Sequence, residues 1–194
     1  MIAALLAASA AAVATPTRGL DVDEVPALAA LGPQPEGATA LKVTLGRPFH
    51  SVRLEHGLWG FCDVGGGLDL SPDGYYRGAG AIRLRALRAG PVQLVTRLLA
   101  ARVFSSKQGI ADTNDAEAGL QIAVAPLPWL GLFTEASLVG TTDFTRERTA
   151  GFWQLVGGAG LALPGGVSLL GSIGVLEGAR GGRTVGSSGA SFRF

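Results

Sequence analysis

A chain of 194 residues fits one domain, and its formal net charge of +1 supplies neither a basic footprint for nucleic acid nor an acidic tail. The single cysteine, Cys62, excludes an internal disulfide and lies too far along the chain to be an acylated N-terminal residue. Hydrophobic residues make up 47%, yet beyond the N-terminus no apolar run approaches the roughly 20 residues a membrane helix needs, so spanning helices are excluded too.

Met1 to Ala14 is an apolar stretch closed by the small-x-small pattern Ala12-Val13-Ala14, which predicts a secretory signal cleaved after Ala14. No Lys or Arg precedes it, the one departure from that pattern. Thr15 to Gly37 carries four prolines and an acidic D-V-D-E without alternation, and is expected to be a linker over 15–37, with one or two helical turns available to Val25 to Leu31. From Ala38 to Phe194 apolar and polar residues alternate with period two, the pattern of strands.

Two short strands, Ala38 to Leu45 and Phe49 to Glu55, come first, followed by Gly60 to Leu70, Tyr76 to Leu87, Val92 to Phe104, Glu117 to Ala125, Leu130 to Gly140, Ala150 to Leu163, Val167 to Glu177 and Thr184 to Phe194. Their connections alternate in kind. Among the last eight, Arg88 to Pro91, Pro126 to Trp129 and Pro164 to Gly166 are tight, whereas Ser105 to Ala116, Thr141 to Thr149 and Gly178 to Arg183 are longer and polar, and only Ser71 to Gly74 is short on the long side. A soluble sandwich has no reason to keep such parity, but a membrane barrel with short turns at one end and longer loops at the other does. Without spanning helices, a chain can satisfy its backbone in lipid only as a closed barrel. The expected fold is therefore all-β, an antiparallel up-and-down transmembrane barrel of 8 to 10 strands. The two extra strands keep the count even and give each other partners, while their shortness argues for eight.

Charges inside the predicted strands gather on one face: Arg53, Glu55, Asp63, Asp69, Arg83, Arg85, Arg97, Glu135 and Arg193. An Arg or Lys facing lipid at mid-depth would cost about 2–4 kcal/mol, so these groups are expected to face the lumen and pair into a network. The same groups, Arg83, Arg85, Arg97 and Glu135 above all, could instead line a narrow path for ions. Trp59, Trp129, Tyr75, Tyr76, Phe152 and Trp153 fall at strand ends, where two aromatic girdles are expected, with Phe61 and Phe133 as candidates for the lumen.

Candidates for chemistry are few. His50 and Ser51 invite a hydrolase reading, but neighbours on a strand face opposite ways and cannot form the contact of about 3 Å that a nucleophile and its base require. His50 and His56 share the face of Val52 and Leu54 and are expected at the membrane interface. Asp112, Asn114, Asp115 and Glu117 offer oxygen donors of the kind calcium takes, although polar loops share that composition. No catalytic residue, metal or cofactor is predicted.

The last strand, T-V-G-S-S-G-A-S-F-R-F, ends on Phe194 with Phe192 two positions earlier on the same face. It resembles the closing strand of bacterial outer-membrane barrels, and the architecture of Ala38 to Phe194 resembles the small barrels of the OmpA and OmpX kind. The resemblance implies Sec-dependent export in a Gram-negative cell, a periplasmic side for the short turns and for 15–37, and recognition of Phe192 and Phe194 by the barrel assembly machinery. The first function expected is a non-enzymatic structural or surface-interaction role through Ser105 to Ala116 and Thr141 to Thr149, among outer-membrane lipid and lipopolysaccharide, whose phosphates Arg146, Arg148, Arg180 and Arg183 could meet. A narrow porin-like channel is the alternative, with a lipid-modifying enzyme or a periplasmic lipocalin-like carrier behind it.

Overall fold

The structure is a computed structural model and describes residues 25–72, 74–105, 112–143, 146, 148–178 and 181–194. The predicted signal, the first part of the linker and Arg180 lie outside the described residues. A short helix α1 (Pro26–Leu31) precedes ten strands: β1 (Thr39–Arg47), β2 (His50–Trp59), β3 (Cys62–Leu70), β4 (Tyr75–Ala89), β5 (Val92–Ser105), β6 (Thr113–Leu127), β7 (Leu130–Asp143), β8 (Arg148–Ala162), β9 (Val167–Gly178) and β10 (Gly181–Arg193). Each strand pairs antiparallel with its sequence neighbours, and β1 pairs with β10 from Ala40 opposite Arg193 to Arg47 opposite Gly186, closing the barrel. Ten is the upper end of the expected range. β1 and β2 run two and four residues past the alternating stretches because each gains a partner on both sides, which lets weakly patterned residues such as Gly46 and Gly57 stay extended.

Side chains sort by parity as the sequence predicts. Leu45, Leu54, Leu68, Ile82, Leu120, Leu138, Leu155 and Ile173 stand exposed on the outer surface, an apolar belt that water would not tolerate but lipid hydrocarbon would. No helix among the described residues is long and apolar enough to cross a membrane. Trp59 and Trp129 lie outside at the end of the tight turns, where Trp59 stacks on Phe61 with ring centroids 5.9 Å apart. Tyr76 and Trp153 lie outside at the other end. Tyr75 and Phe152 do not join that girdle. Each precedes an outward aromatic on the same strand, so alternation turns it inward, and Phe152 lines the lumen. Phe61 is the converse case, expected as a lumen candidate and found outside.

The second half of the expected linker is folded. Pro at the first helical position presets the turn, Ala and Leu continue it, and the Gly32 amide closes it by donating to the Leu28 carbonyl at 2.8 Å. Six residues cannot hold a helix alone in water. Here every residue from Ala27 to Leu31 is buried against the inner barrel wall at the end of the tight turns, packed on Ala123, Ala125, Phe133 and Leu170.

Candidate functional site

The lumen is the site, and it has a floor. Two inward glycines make the seat for α1: a Cβ at Gly131 would lie 2.6 Å from Leu31 Cδ1, and one at Gly160 would lie 3.0 Å from Leu31 Cδ2. Wall groups then bond the helix's backbone at both ends. Gln93 Nε2 donates to the Leu28 carbonyl at 2.9 Å, Gln121 Nε2 donates to the Leu31 carbonyl at 3.0 Å, and the Ala27 amide donates to the Pro128 carbonyl at 3.1 Å. Beyond the helix the chain runs against β2, where the Gly37 amide donates to the Gly57 carbonyl and the Gly57 amide to the Ala38 carbonyl, both at 2.9 Å.

Above this floor lies a cavity of about 470 Å³ that reaches the β1–β2 turn at Arg47, Pro48 and Phe49. Its charged wall runs from β1 to β7. Glu55 accepts from Lys42 at 2.7 Å and from Arg83 at 2.5 Å, and Arg83 also donates to Asp63 at 2.5 Å. Asp69 takes Arg53 at 3.1 Å and Arg77 at 2.6 Å, and Arg77 approaches Asp115 at 3.8 Å while its guanidinium lies over the Phe49 ring. Arg97 bridges Glu117 and Glu135, the latter at 2.7 Å. The remaining wall, β7 to β10, presents Val139, Phe152, Gln154, Leu176 and Ser187 and no charge to the cavity.

Of the residues expected in the lumen, Arg53, Glu55, Asp63, Asp69, Arg83, Arg97 and Glu135 meet in this network. Arg85 and Arg193 stand apart at the rim of the tight turns. Arg85 donates to the Gly60 carbonyl at 2.9 Å next to a register shift in β4, and Arg193 borders a small pocket beside α1. Lys42, Arg77, Asp115 and Glu117 belong to the network as well. Lys42 and Arg77 carry the inward parity, a signal present in the sequence. Asp115 reads as loop and Glu117 as the first residue of a strand, both within a run of acids, but β6 begins at Thr113 and turns both inward. The candidate calcium donors therefore divide. Glu117 pairs with Arg97, Asp115 accepts from Thr141 Oγ1 at 2.9 Å, and Asp112 lies 3.6 Å from Arg102. Among the described residues no cluster is arranged to hold a metal ion. His50 and His56 point away from the lumen: the Gly46 amide donates to His50 Nδ1 at 3.2 Å, and His56 Nδ1 lies 2.9 Å from Thr39 Oγ1. Ser51, on the lumen side, bonds Thr44 instead.

The chain matches no family model, and no curated protein matches it in sequence. Among solved structures it is similar to the outer-membrane expressed OmpT of Vibrio cholerae, with a TM-score of 0.46 and 8% identity over 83% of this chain and 62% of that one. It is likewise similar to a loop L8 deletion mutant of that OmpT, with a TM-score of 0.45 and 10% identity over 75% of this chain and 53% of that one. A fainter likeness, to Pseudomonas aeruginosa OccK5 (OpdH), has a TM-score of 0.30 and 10% identity over 75% of this chain and 57% of that one. The chain thus spans less than two-thirds of each of these structures.

Proposed function

We propose that the chain is an integral outer-membrane protein of a Gram-negative cell, a non-enzymatic barrel with a structural or surface-interaction role and no through-going pore. The observation that carries this reading is the burial of α1 across the lumen, fastened by Gln93 and Gln121 to its carbonyls and followed by Gln34, whose amide donates to Asp63 Oδ2 at 2.8 Å. A helix with side chains is about 10 Å across, so it fills much of the bore of a small barrel. The apolar belt supports immersion in a bilayer. The ends of β10 and β1 support an assembly role for Phe192 and Phe194: both rings are exposed, free to be grasped from outside, while the Phe194 backbone is fastened to Thr39. Export through the Sec route remains part of the proposal, as does contact of Arg146, Arg148 and Arg183 with lipopolysaccharide phosphates, which their exposure permits.

A narrow channel is the second reading, favoured by the continuous charged wall of the cavity. Single-channel recording of the refolded full chain in planar bilayers decides between the two. A silent bilayer, from protein that migrates differently on gels before and after boiling, supports the plugged barrel. Steady conductance from the same preparation overturns it.

A further inference from the structure

The cavity above α1 is closed at one end and reaches the β1–β2 turn at the other, which makes it a well rather than a passage. Its charges are matched, six cations to six carboxylates, once Arg47 at the mouth is counted with the charged wall. Hydrogen-bonding capacity is not matched with them. A guanidinium carries five N–H donors and accepts nothing, whereas a carboxylate only accepts. In this wall the buried side-chain atoms left without a partner are both donors, Arg53 Nε and Arg97 Nε, and no buried carboxylate oxygen among the described residues lacks one.

The surplus of donors is plainest at the mouth. Asp69 is 1% exposed and sits behind two guanidiniums. Arg53 reaches both its oxygens from Nη2 alone, at 3.2 and 3.1 Å, and Arg77 donates to it from Nε at 2.6 Å. The next carboxylate, Asp115, lies 3.8 Å from Arg77 Nη1 and already accepts from Thr141. Arg47 is exposed on the turn, and its side chain makes no hydrogen bond or ion pair among the described residues. Phe49, two residues further on, lies under the Arg77 guanidinium, 4.8 Å from ring centroid to Cζ, and holds that group in place together with Asp69. Three guanidiniums therefore bring about 15 N–H groups to the mouth, where Asp69 offers about four lone-pair positions.

Water can take up such donors one bond at a time. An oxyanion does so more strongly, because charge-assisted bonds are about twice as strong as neutral ones and a guanidinium meets two of its oxygens side by side. A cation would only add donors. We infer that the mouth of the well is a binding site for a small free oxyanion such as phosphate, held by Arg47, Arg53 and Arg77. The site goes beyond a structural role for the barrel and rests on the plugged-barrel reading only in that α1 supplies the floor beneath it.

The test is calorimetric titration of the refolded full chain, in nonionic detergent free of lipopolysaccharide, with inorganic phosphate, sulfate and butylammonium. Saturable binding of both oxyanions and none of butylammonium is expected. Arg53→Lys and Arg77→Lys keep every charge of the wall but remove the forked donors, and each should weaken phosphate roughly tenfold. Arg47→Gln, on the exposed turn, should weaken it as well. Each variant is used once its shift in gel migration on boiling is intact. No saturable oxyanion binding by the folded parent, butylammonium binding alongside phosphate, or Lys variants that bind phosphate as the parent does overturns the site. Should both Lys variants fail to fold, Arg47→Gln decides, and an unchanged phosphate affinity overturns it. Displacement of bound phosphate by added lipopolysaccharide overturns the assignment to a free ion. Conductance is read separately, so a conducting barrel that still binds phosphate would remove the plug reading and leave the site standing.

Discussion

The backbone amide of Gln34 donates to Asp63 Oδ2 at 2.8 Å, and Arg83 donates to the same oxygen at 2.5 Å. One carboxylate thus ties the segment after α1 to the charged wall. Replacing Asp63 with Ala removes the acceptor of that amide and leaves Arg83 paired with Glu55 in the wall. Asp63 is buried, with 1% of its surface exposed, and breaking a buried pair by deleting one partner costs about 3–5 kcal/mol. Asp63→Asn keeps an acceptor oxygen for Gln34 and should cost less. Equilibrium urea unfolding in vesicles orders the two, and an Asp63→Ala midpoint equal to that of the parent would sink the linkage.

Gly57 controls the path of the same segment. A Cβ there would come within 1.8 Å of the Pro35 carbonyl oxygen, closer than any side chain can approach. Because the contact is with backbone, Gly57→Val can be relieved only by moving residues 34–37 off β2, which draws on the anchorage of α1. The expected outcome is a barrel that still shifts on boiling, conducts in planar bilayers, and is cut by added protease within 25–37. A silent, protease-resistant variant would show that the segment finds another route across the floor.

The two faces of the wall respond oppositely to the same new charge. Leu120 lies midway along β6 on the outer belt, and Leu120→Arg should lose about 2–4 kcal/mol of stability in lipid. Gln154→Arg, on the uncharged side of the lumen, adds an identical group where water and the carboxylates of the cavity can accommodate it, and should lose far less. Equal losses for the two variants would contradict the assignment of faces.

Phe194 separates assembly from stability. Its side chain is 76% exposed, while its backbone amide donates to the Thr39 carbonyl at 2.9 Å and its carbonyl accepts from the Thr39 amide at 3.0 Å. Phe194→Ala keeps those backbone bonds. Refolding in detergent should therefore be unimpaired, with a sharp fall in the amount reaching the outer membrane in cells. A normal amount there would remove the assembly role of this residue.

Strand positions, their parity and the sidedness of their connections were all legible in the chain, because period-two alternation and turn residues such as Pro164 to Gly166 act locally. The inward course of Tyr75 and Phe152 was legible too, since Tyr76 and Trp153 follow them and adjacent strand residues cannot share a face. Membership of Lys42 and Arg77 in the charged wall follows from the same parity. What tertiary structure alone decided is the floor. The helical turns at Val25 to Leu31 were open to the sequence, but their burial depends on Gly57, Gly131 and Gly160, which lie far apart in sequence and meet only when the tenth strand closes on the first. The sharing of Arg97 by Glu117 and Glu135 likewise exists only in the register that brings both to it, because pairing is a property of distance in space and not of spacing along the chain.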